Sequence, residues 1–302
     1  MIYVKPDFYD KFKCRADKCR HSCCVGWEID IDDDTAAYYA DLGGDLGREL
    51  AENVSQRPEA HFIMRSDGRC PFLDDGGLCR IISALGESAL CDICAEHPRF
   101  YNCFGGRTEY GLGLCCEESV SLLCSGQGSL RLIEFDDGAN DAPDAAAEAF
   151  VKLRGELFDI LCDHSLSLAR RSVSVFERIG ASEPSFDPVE WAKIYLTLER
   201  MDERWTEMLK HLEKNAGDFD FSSFFEGLRY ERIFEYFIYR HLIMAKDMEE
   251  AKKMLQFCYL STKMICALDA LDASERDEHL RLYSAEIEYS DRNVSIICSK
   301  FG

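Results

Sequence analysis

Apolar residues in the second half of the chain follow the spacing of amphipathic helices. Between residues 145 and 178 they recur every three or four positions, and Phe150, Leu153 and Leu157 fall on one stripe. A stripe of this kind packs against other helices. We therefore expect a helical domain over 147–302, completed by one or two short helices near its end.

Capping residues mark where the later helices begin. Asp187 followed by Pro188 is typical of an N-cap with proline in the first turn, and it predicts a helix that runs to about Asn215. A third helix is predicted to start near residues 222–223, and a fourth follows Asp247. The aromatic residues of the third helix are expected to pack in the core rather than to line a groove for a cofactor or peptide.

The N-terminal region is loop-rich and mixed in pattern. The turn-forming run Asp-Asp-Gly-Gly at 74–77 predicts a short hairpin that returns Cys79 close to Cys70. A helix is expected over 85–97, ended by the proline that follows, because the residue before proline avoids helical dihedrals. Another helix is expected over 115–124, with acidic residues in its first turn.

A polar, turn-rich segment separates the two regions. The run Asp-Asp-Gly-Ala-Asn-Asp-Ala-Pro-Asp starting at 136 is poor in large apolar residues, which is typical of a linker. We predict a cysteine-rich domain over 1–135, a linker over 136–146 and a helical domain over 147–302. The expected fold class is mostly α, with a loop-rich cysteine-cluster domain before a helical bundle.

Composition and charge narrow the function classes. Apolar residues make up 47% and charged residues 30% of the chain, as in globular proteins. The net charge of −21 argues against general nucleic-acid binding and against docking on an anionic membrane. The first residues are charged and show no apolar signal-peptide core, so we expect a cytoplasmic protein.

Cysteine is unusually abundant for that compartment. Twelve of the sixteen cysteines lie within the first 124 residues. A reducing compartment does not favour disulfides, so such density indicates metal or redox chemistry. The remaining four are isolated in apolar helical contexts and are expected to be buried hydrophobic residues. They are Cys162, Cys258, Cys266 and Cys298.

The spacing of the early cysteines points to a thiolate-bound metal. Thiolates suit iron–sulfur clusters and zinc, and four are needed for an all-cysteine site. Only Cys91-x2-Cys94 matches a zinc knuckle, and the wide separations of the other groups slightly favour a cluster, so both metals stay open. The spaced groups are Cys14-x4-Cys19-x3-Cys23-Cys24, Cys70-x8-Cys79, Cys91-x2-Cys94 and Cys115-Cys116.

Ordered motifs continue through this cysteine-rich part. They are Phe12-Lys13-Cys14, Cys23-Cys24-x2-Trp27-x-Ile29-x-Ile31-Asp32, Asp67-Gly68-Arg69-Cys70-Pro71-Phe72-Leu73, Gly77-Leu78-Cys79-Arg80-Ile81, Leu85-Gly86-Glu87, Cys91-x2-Cys94, His97-Pro98-Arg99-Phe100 and Gly111-Leu112-Gly113-Leu114-Cys115-Cys116-Glu117-Glu118. With these motifs the chain resembles the flagellin lysine-N-methylases, within the wider group of cysteine-cluster proteins described as zinc- or iron-chelating. The resemblance covers residues 3 to about 124.

The resemblance implies methylation of lysine side chains on flagellin or another lysine-bearing protein, with S-adenosylmethionine as methyl donor. It also implies a cysteine-ligated iron–sulfur cluster, of the 4Fe–4S type, with zinc as the alternative. Cys91, Cys103, Cys116 and Cys124 fit the family pattern less firmly. The ligands that it implies are Cys14, Cys19, Cys23, Cys24, Cys70, Cys79, Cys94 and Cys115.

The sequence gives only weak indications of which residues are catalytic. A lysine has a pKa of about 10.4 and must lose its proton to attack the methyl group, so a base or a desolvating site is needed. Arg99 is a candidate to pair a carboxylate of the cofactor or of the protein. The candidate acidic and polar aromatic residues, each of which also has a structural explanation, are Glu28, Asp30, Glu109, Tyr110 and Glu117.

The acidic run Asp30-x-Asp32-x-Asp34 resembles the start of a calcium-binding loop. Thr35 stands where such a loop requires glycine, and Asp41 stands at the twelfth position. We therefore expect a solvated helix N-terminus here instead of a calcium site.

Familiar cofactor motifs are missing from the sequence. The glycines at 43–47 and at 111–113 do not follow the strand–loop–helix pattern of nucleotide binding, and 43–47 is expected to be a loop between helices. Radical chemistry needs Cys-x3-Cys-x2-Cys, and Gly26 stands at the third position after Cys19 and Cys23. The lack of a recognisable cofactor-binding motif favours an alternative function, that of a non-enzymatic iron–sulfur or zinc protein in redox sensing, electron transfer or partner binding.

Overall fold

Helices dominate the chain in a computed structural model, which is 55% helix and 11% strand, and this confirms the mostly α prediction. None of the described helices has the length and apolar character needed to cross a bilayer. The helices are α1 (Asp33–Ala40), α2 (Gly44–Asn53), α3 (Arg80–Leu85), α4 (Asp92–Glu96), α5 (Glu117–Cys124), α6 (Ala145–Leu161), α7 (Leu168–Ile179), α8 (Pro188–Tyr195), α9 (Glu203–Asn215), α10 (Leu228–His241), α11 (Met248–Leu271), α12 (Arg276–Tyr283) and α13 (Asp291–Cys298). The structure describes residues 1–138, 144–217, 221 and 224–301.

Several predicted helix starts are confirmed. Asp187 accepts hydrogen bonds from the first backbone N–H groups of α8, with Pro188 in the first turn. Asp247 caps α11 in the same way. The helix predicted to run to Asn215 is wrong, because α8 ends at Tyr195 and a new helix, α9, begins after its own N-cap, Asp202.

Two other helices are shorter than predicted. The continuous periodicity over 145–178 belongs to α6 and α7, which are separated after Leu161. The helix predicted over 85–97 is also wrong, because α3 ends at Leu85, Gly86 adopts a φ of 89°, and after it only the five residues of α4 are α-helical. The start predicted at 222–223 lies outside the described residues, and α10 begins after Gly227.

The sequence does not predict the four-stranded sheet. Its order is β4-β5-β1-β6, with β1 parallel to β5 and antiparallel to β6. The partners of β1 follow it by more than 100 residues, so no local pattern reveals the pairing. A separate antiparallel pair is formed by β2 and β3. The strands are β1 (Ile2–Pro6), β2 (Val54–Ser55), β3 (His61–Phe62), β4 (Arg99–Phe104), β5 (Arg107–Leu112) and β6 (Leu132–Asp136).

The chain divides into two units at points other than the predicted boundary. The larger unit comprises Met1–Phe12 and Tyr101–Gly302, and the smaller one Lys13–Phe100. Residues on both sides of the predicted linker, 136–146, therefore belong to the larger unit. Positions 139–143 lie outside the described residues, so the linker itself stays a prediction.

Helices α10 and α11 form the centre of the larger unit. Phe234 and Phe237 of α10 are fully buried, which confirms that its aromatic stripe is core. Arg232, also on α10, donates to the carbonyl oxygens of Leu123 and Gly128. These hydrogen bonds attach α5 and the loop after it to the helical core, so this part of the predicted cysteine domain packs with the C-terminal helices.

The four late cysteines do not all pack in that core. Cys258 and Cys266 of α11 are buried, as expected, and Cys298 is partly buried. The prediction is wrong for Cys162, which is exposed because α6 ends one residue before it.

Candidate functional site

Five cysteine side chains meet in the hydrophobic core of the smaller unit. They come from four stretches of sequence that span more than seventy residues. Cys70 and Cys91 are buried, and the other three are partly buried against the same core. Because a hydrophobic core rarely gathers so many thiols, this cluster, which we call the cysteine core, is the candidate site. Its members are Cys24, Cys70, Cys79, Cys91 and Cys94.

Backbone pairing brings the first two stretches together. The N–H of Cys70 donates to the carbonyl oxygen of Cys24 at 2.8 Å. Two residues further on, the N–H of Gly26 donates to the oxygen of Gly68 at 2.9 Å. The two segments thus run antiparallel, and this places Cys24 beside Cys70 in the core.

The predicted hairpin at 74–77 is confirmed. The N–H of Gly77 donates to the carbonyl oxygen of Asp74 at 3.1 Å, and the Asp74 side chain accepts from the N–H of Leu78 at 2.8 Å. Gly77 has a φ of 82°, a left-handed conformation that glycine adopts without strain. An isolated bridge between Leu73 and Cys79 closes the turn, so Cys79 returns to the core beside the chain that carries Cys70.

Asp32 positions the Cys91–Cys94 segment. Its Oδ1 accepts from the N–H of Thr35 at 2.9 Å and caps α1, which confirms the predicted helix N-terminus. Its Oδ2 accepts from the N–H of Asp92 at 2.9 Å, in the first turn of α4, whose N-cap is Cys91. One carboxylate therefore links the starts of two helices.

Replacement of Asp32 with alanine is expected to lower the free energy of unfolding of the smaller unit by about 1–2 kcal/mol, because a cap and a second charge-assisted hydrogen bond are lost. Although burial alone raises it, the pKa of Asp32 is held below its usual value by the N–H groups of Asp92 and Thr35. This stabilisation is therefore present above about pH 4 and is lost as the pH falls through the lowered pKa. Chemical denaturation at pH 7 and pH 3 measures it, with the Asp33→Ala variant as the control.

Hydrogen bonds between thiols shift the pKa values of the cysteine core in opposite directions. The side chains of Cys91 and Cys94 share a hydrogen bond that lowers the pKa of Cys91 and raises the pKa of Cys94. A hydrogen bond with Cys23 lowers the pKa of Cys24 to about 6. Burial raises the pKa of Cys70 to about 11. Of these cysteines, Cys24 therefore carries thiolate character at neutral pH.

The donor set of the cysteine core fits a thiolate-bound metal by its chemistry, because soft thiolates are the ligands that zinc and iron–sulfur clusters prefer. The side-chain positions by themselves do not form a finished coordination site. Within the described ranges, no three His, Cys, Asp or Glu side chains are arranged so that they could hold one metal ion.

The core contains four of the eight cysteines that the family pattern implied as ligands. Cys14 and Cys23 are exposed, and Cys19 is partly buried, outside the core cluster. Cys115 belongs to the larger unit, where burial raises its pKa to about 11 and the Tyr289 side chain hydrogen-bonds its thiol. Cys91, which the pattern implied less firmly, is a central member. The Cys-x2-Cys spacing that it forms with Cys94 is the sequence feature that indicates its place in the site.

The acidic catalytic candidates lie in ordinary structural surroundings. Glu109 is fully buried, and both Arg107 and Arg154 donate to its carboxylate. Glu28 is exposed, 3.6 Å from the Nε2 atom of His61, and exposed Asp30 pairs with His61 through the backbone.

The other candidates are similarly placed. Tyr110 packs edge-on against Tyr9, and its backbone carbonyl accepts from the hydroxyl of Tyr239. Glu117 lies in the first turn of α5, as expected. The guanidinium of Arg99 donates to the carbonyl oxygen of Ala95 at 3.2 Å.

Neither glycine-rich segment has a nucleotide-binding arrangement. The prediction of a loop between helices over 43–47 is wrong, because Gly43 is the N-cap of α2 and residues 44–47 form its first turn. Gly111 lies in β5 and Gly113 follows it, but the cysteine doublet separates them from α5, whose first turn carries Glu117 and Glu118. Two carboxylates at a helix start oppose the binding of a phosphate there.

Curated proteins are related to part of this chain. Two proteins named lysine-N-methylase, from Salmonella typhimurium (strain LT2) and Salmonella choleraesuis, are each 28% identical to it over 138 residues, which cover 43% of this chain and 34% of the relative. A flagellar biosynthetic protein FliU from Salmonella muenchen is 28% identical over 138 residues and is covered over 82% of its length. The chain thus spans about a third of the length of the two lysine-N-methylases. No family model and no solved structure matches.

Proposed function

We propose, because this chain is related to the flagellin lysine-N-methylases, that it takes part in the methylation of lysine side chains on a protein substrate, with S-adenosylmethionine as methyl donor. Because one relative is named a flagellar biosynthetic protein, we propose flagellin as that substrate. The observation that carries the proposal is the similarity over 138 residues, which extends to relatives of both names.

The cysteine core is proposed as the site of a thiolate-bound metal, an iron–sulfur cluster of the 4Fe–4S type or, as the alternative, zinc. Five thiols are available for the four positions that such a site requires. When bound, the metal would cross-link the segments that carry Cys24, Cys70, Cys79 and the Cys91–Cys94 pair. Support comes from the convergence of these segments on one core and from the lowered pKa values of Cys24 and Cys91.

Methyl transfer to lysine sets two requirements for the protein. The lysine nitrogen has to be unprotonated, although a free lysine has a pKa of about 10.4, so the substrate site must desolvate it or offer a proton acceptor. The nitrogen also has to face the methyl group in line with the bond that breaks, and holding the two reactants in that geometry supplies much of the rate.

The direct test is incubation of the purified full chain with flagellin and S-adenosylmethionine labelled in its methyl group. We expect label on flagellin lysines, located by peptide mass spectrometry, and none on flagellin whose lysines have been acetylated beforehand. Absence of label on lysine, with protein that contains its full complement of metal, would contradict the proposed activity.

A redox or partner-binding role is the second candidate, and the thiol pairs favour it. Cys91 and Cys94 are hydrogen-bonded, and Cys24, with a pKa of about 6, adjoins exposed Cys23. Thiolates of low pKa react readily with oxidants. Calorimetry with S-adenosylmethionine separates the candidates, since a sensor or adaptor does not bind it. Broad visible absorbance that is lost on acid treatment identifies an iron–sulfur cluster, and a colourless protein with stoichiometric zinc identifies the alternative metal.

A further inference from the structure

A cleft in the larger unit has no part in the cysteine core. Its volume is about 260 Å³, and it lies between α9, the C-terminal end of α11 and the start of α12. Met208 and Leu268 contribute apolar surface, whereas Glu207, Asp272 and Glu275 contribute carboxylates. The cleft therefore combines an apolar wall with several negative charges.

A buried histidine forms part of the wall. His279 is only 3% exposed, and its Nδ1 is 2.9 Å from the Oδ1 atom of Asp269. The other oxygen of Asp269 accepts from Arg229, Tyr230 and Arg276, so both oxygens of this carboxylate have hydrogen-bond partners.

The bond to Asp269 sets the tautomer of His279. In the neutral tautomer whose Nδ1–H donates to Asp269, Nε2 is a hydrogen-bond acceptor. Within the described part of the chain, no side chain or backbone group hydrogen-bonds Nε2. A side chain that is almost fully buried thus offers one unused acceptor at the cleft.

The electrostatic field at the cleft favours a cation. The C-terminal end of α11, a helix of 24 residues, carries the negative pole of the helix dipole, and its last turn has no basic residue. The nearby guanidinium groups of Arg229 and Arg276 are engaged by Asp269, and Arg229 also by Asp277. His211, on the α9 side, hydrogen-bonds Asn215 through its ring.

Size and acceptor geometry select the kind of cation. Pockets for whole small-molecule ligands and cofactors usually measure about 300–1,000 Å³, so this smaller cleft suits a single side chain. An ammonium group has three donors and no acceptor, which matches carboxylates combined with the lone pair of Nε2.

We propose that this cleft binds the ammonium group of a lysine side chain presented by the protein substrate, with the methylene chain against Met208 and Leu268. The choice of lysine rests on the proposed function, and the cleft adds to that function a specific place for the target side chain. Glu207 and Asp272 attract the ammonium, and His279 accepts one of its hydrogen bonds.

Binding is measured on the full chain by nuclear magnetic resonance, with the methyl group of Met208 as the reporter. The probe is Nα-acetyl-lysine methylamide, and its matched control is Nα-acetyl-norleucine methylamide, which keeps the carbon chain and lacks the ammonium. We expect a saturable shift of the Met208 signal with the lysine probe and none with the norleucine probe.

Substitutions of the cleft residues test which side chains contact the ammonium group of the probe. Glu207→Gln and Asp272→Asn are each expected to weaken binding of the probe by about two- to fivefold, as for exposed ion pairs. Asp272→Asn keeps the oxygen that accepts from Ser274, so the turn is preserved. His279→Asn keeps a donor to Asp269 and removes Nε2, so it is expected to weaken binding as well. Glu177→Gln, an exposed change of the same charge on α7, is the control and is expected to bind as the wild type does.

The outcomes separate this inference from the proposed function. Equal binding of the two probes, or unchanged affinity in both the Glu207→Gln and Asp272→Asn variants, would overturn the cleft proposal whatever the labelling assay shows. Selective binding of the lysine probe supports it even without methyl transfer, because neither metal nor methyl donor is needed for that measurement. Labelling of flagellin at the wild-type rate by the Glu207→Gln/Asp272→Asn double variant would place the target lysine elsewhere while leaving the methylation activity intact.

Discussion

Replacement of both Cys91 and Cys94 with serine is expected to abolish the binding of metal by the cysteine core, because only three of its five thiols then remain. Cys91 is fully buried at the centre of the cluster and shares a hydrogen bond with Cys94. Loss of a residue that merely orients a metal ligand weakens binding by about 10–100-fold, so loss of a ligand itself is expected to cost more. Metal per chain, measured by plasma emission spectrometry after purification, is the readout.

Cys258→Ser is the matched control for this experiment. Cys258 is as fully buried as Cys91 but lies on α11, in the larger unit. Both variants place a hydroxyl in a buried site, so both lose stability, and only the change in the cysteine core is expected to lose metal. Full metal content in the Cys91→Ser/Cys94→Ser variant would contradict a metal centre in this core.

Replacement of Glu109 with glutamine is expected to lower the free energy of unfolding of the larger unit by about 3–5 kcal/mol, the cost of leaving a buried charge without its partner. Arg154 is buried and donates two hydrogen bonds to the Glu109 carboxylate, and Arg107 donates a third. The guanidinium of Arg154 also lies over the ring of Tyr239, 5.1 Å from its centre. Urea denaturation followed by circular dichroism measures the change.

Glu134→Gln serves as the control for the Glu109 variant. Glu134 also accepts from Arg107 but is more than half exposed, so its loss is expected to cost less than about 1 kcal/mol. The comparison decides between a structural and a catalytic role for Glu109. A Glu109→Gln protein with wild-type stability and no methylation activity would restore Glu109 as a catalytic candidate.

Local signals in the sequence are reliable where one stretch of chain determines its own structure. Asp187, Asp247 and Asp32 each cap the helix that their position predicts, and the Asp-Asp-Gly-Gly turn returns Cys79 to the core. Such features depend on hydrogen bonds between residues two to four positions apart, so their residue types suffice to reveal them.

Errors arise where apolar periodicity continues through a break. The pattern that suggests one helix to Asn215 includes Asp202, whose side chain caps α9 instead of lying on a helix surface. Gly86 similarly ends α3, where the pattern suggests the start of a longer helix. A cap competes with the helix interior for the same residue, and the packing of neighbouring elements decides between them.

The sequence by itself determined the helical character of the chain, the concentration of thiols in its first part and the turn between Cys70 and Cys79. Only the tertiary structure decided that β1 pairs with strands more than 100 residues away, that Cys91 joins Cys24 and Cys70 in one core, and that Glu109 is enclosed by two arginines. The physical reason is the range of the interactions. Turns and caps are formed by neighbours along the chain, whereas strand pairing, burial and the meeting of distant side chains depend on how the whole chain folds.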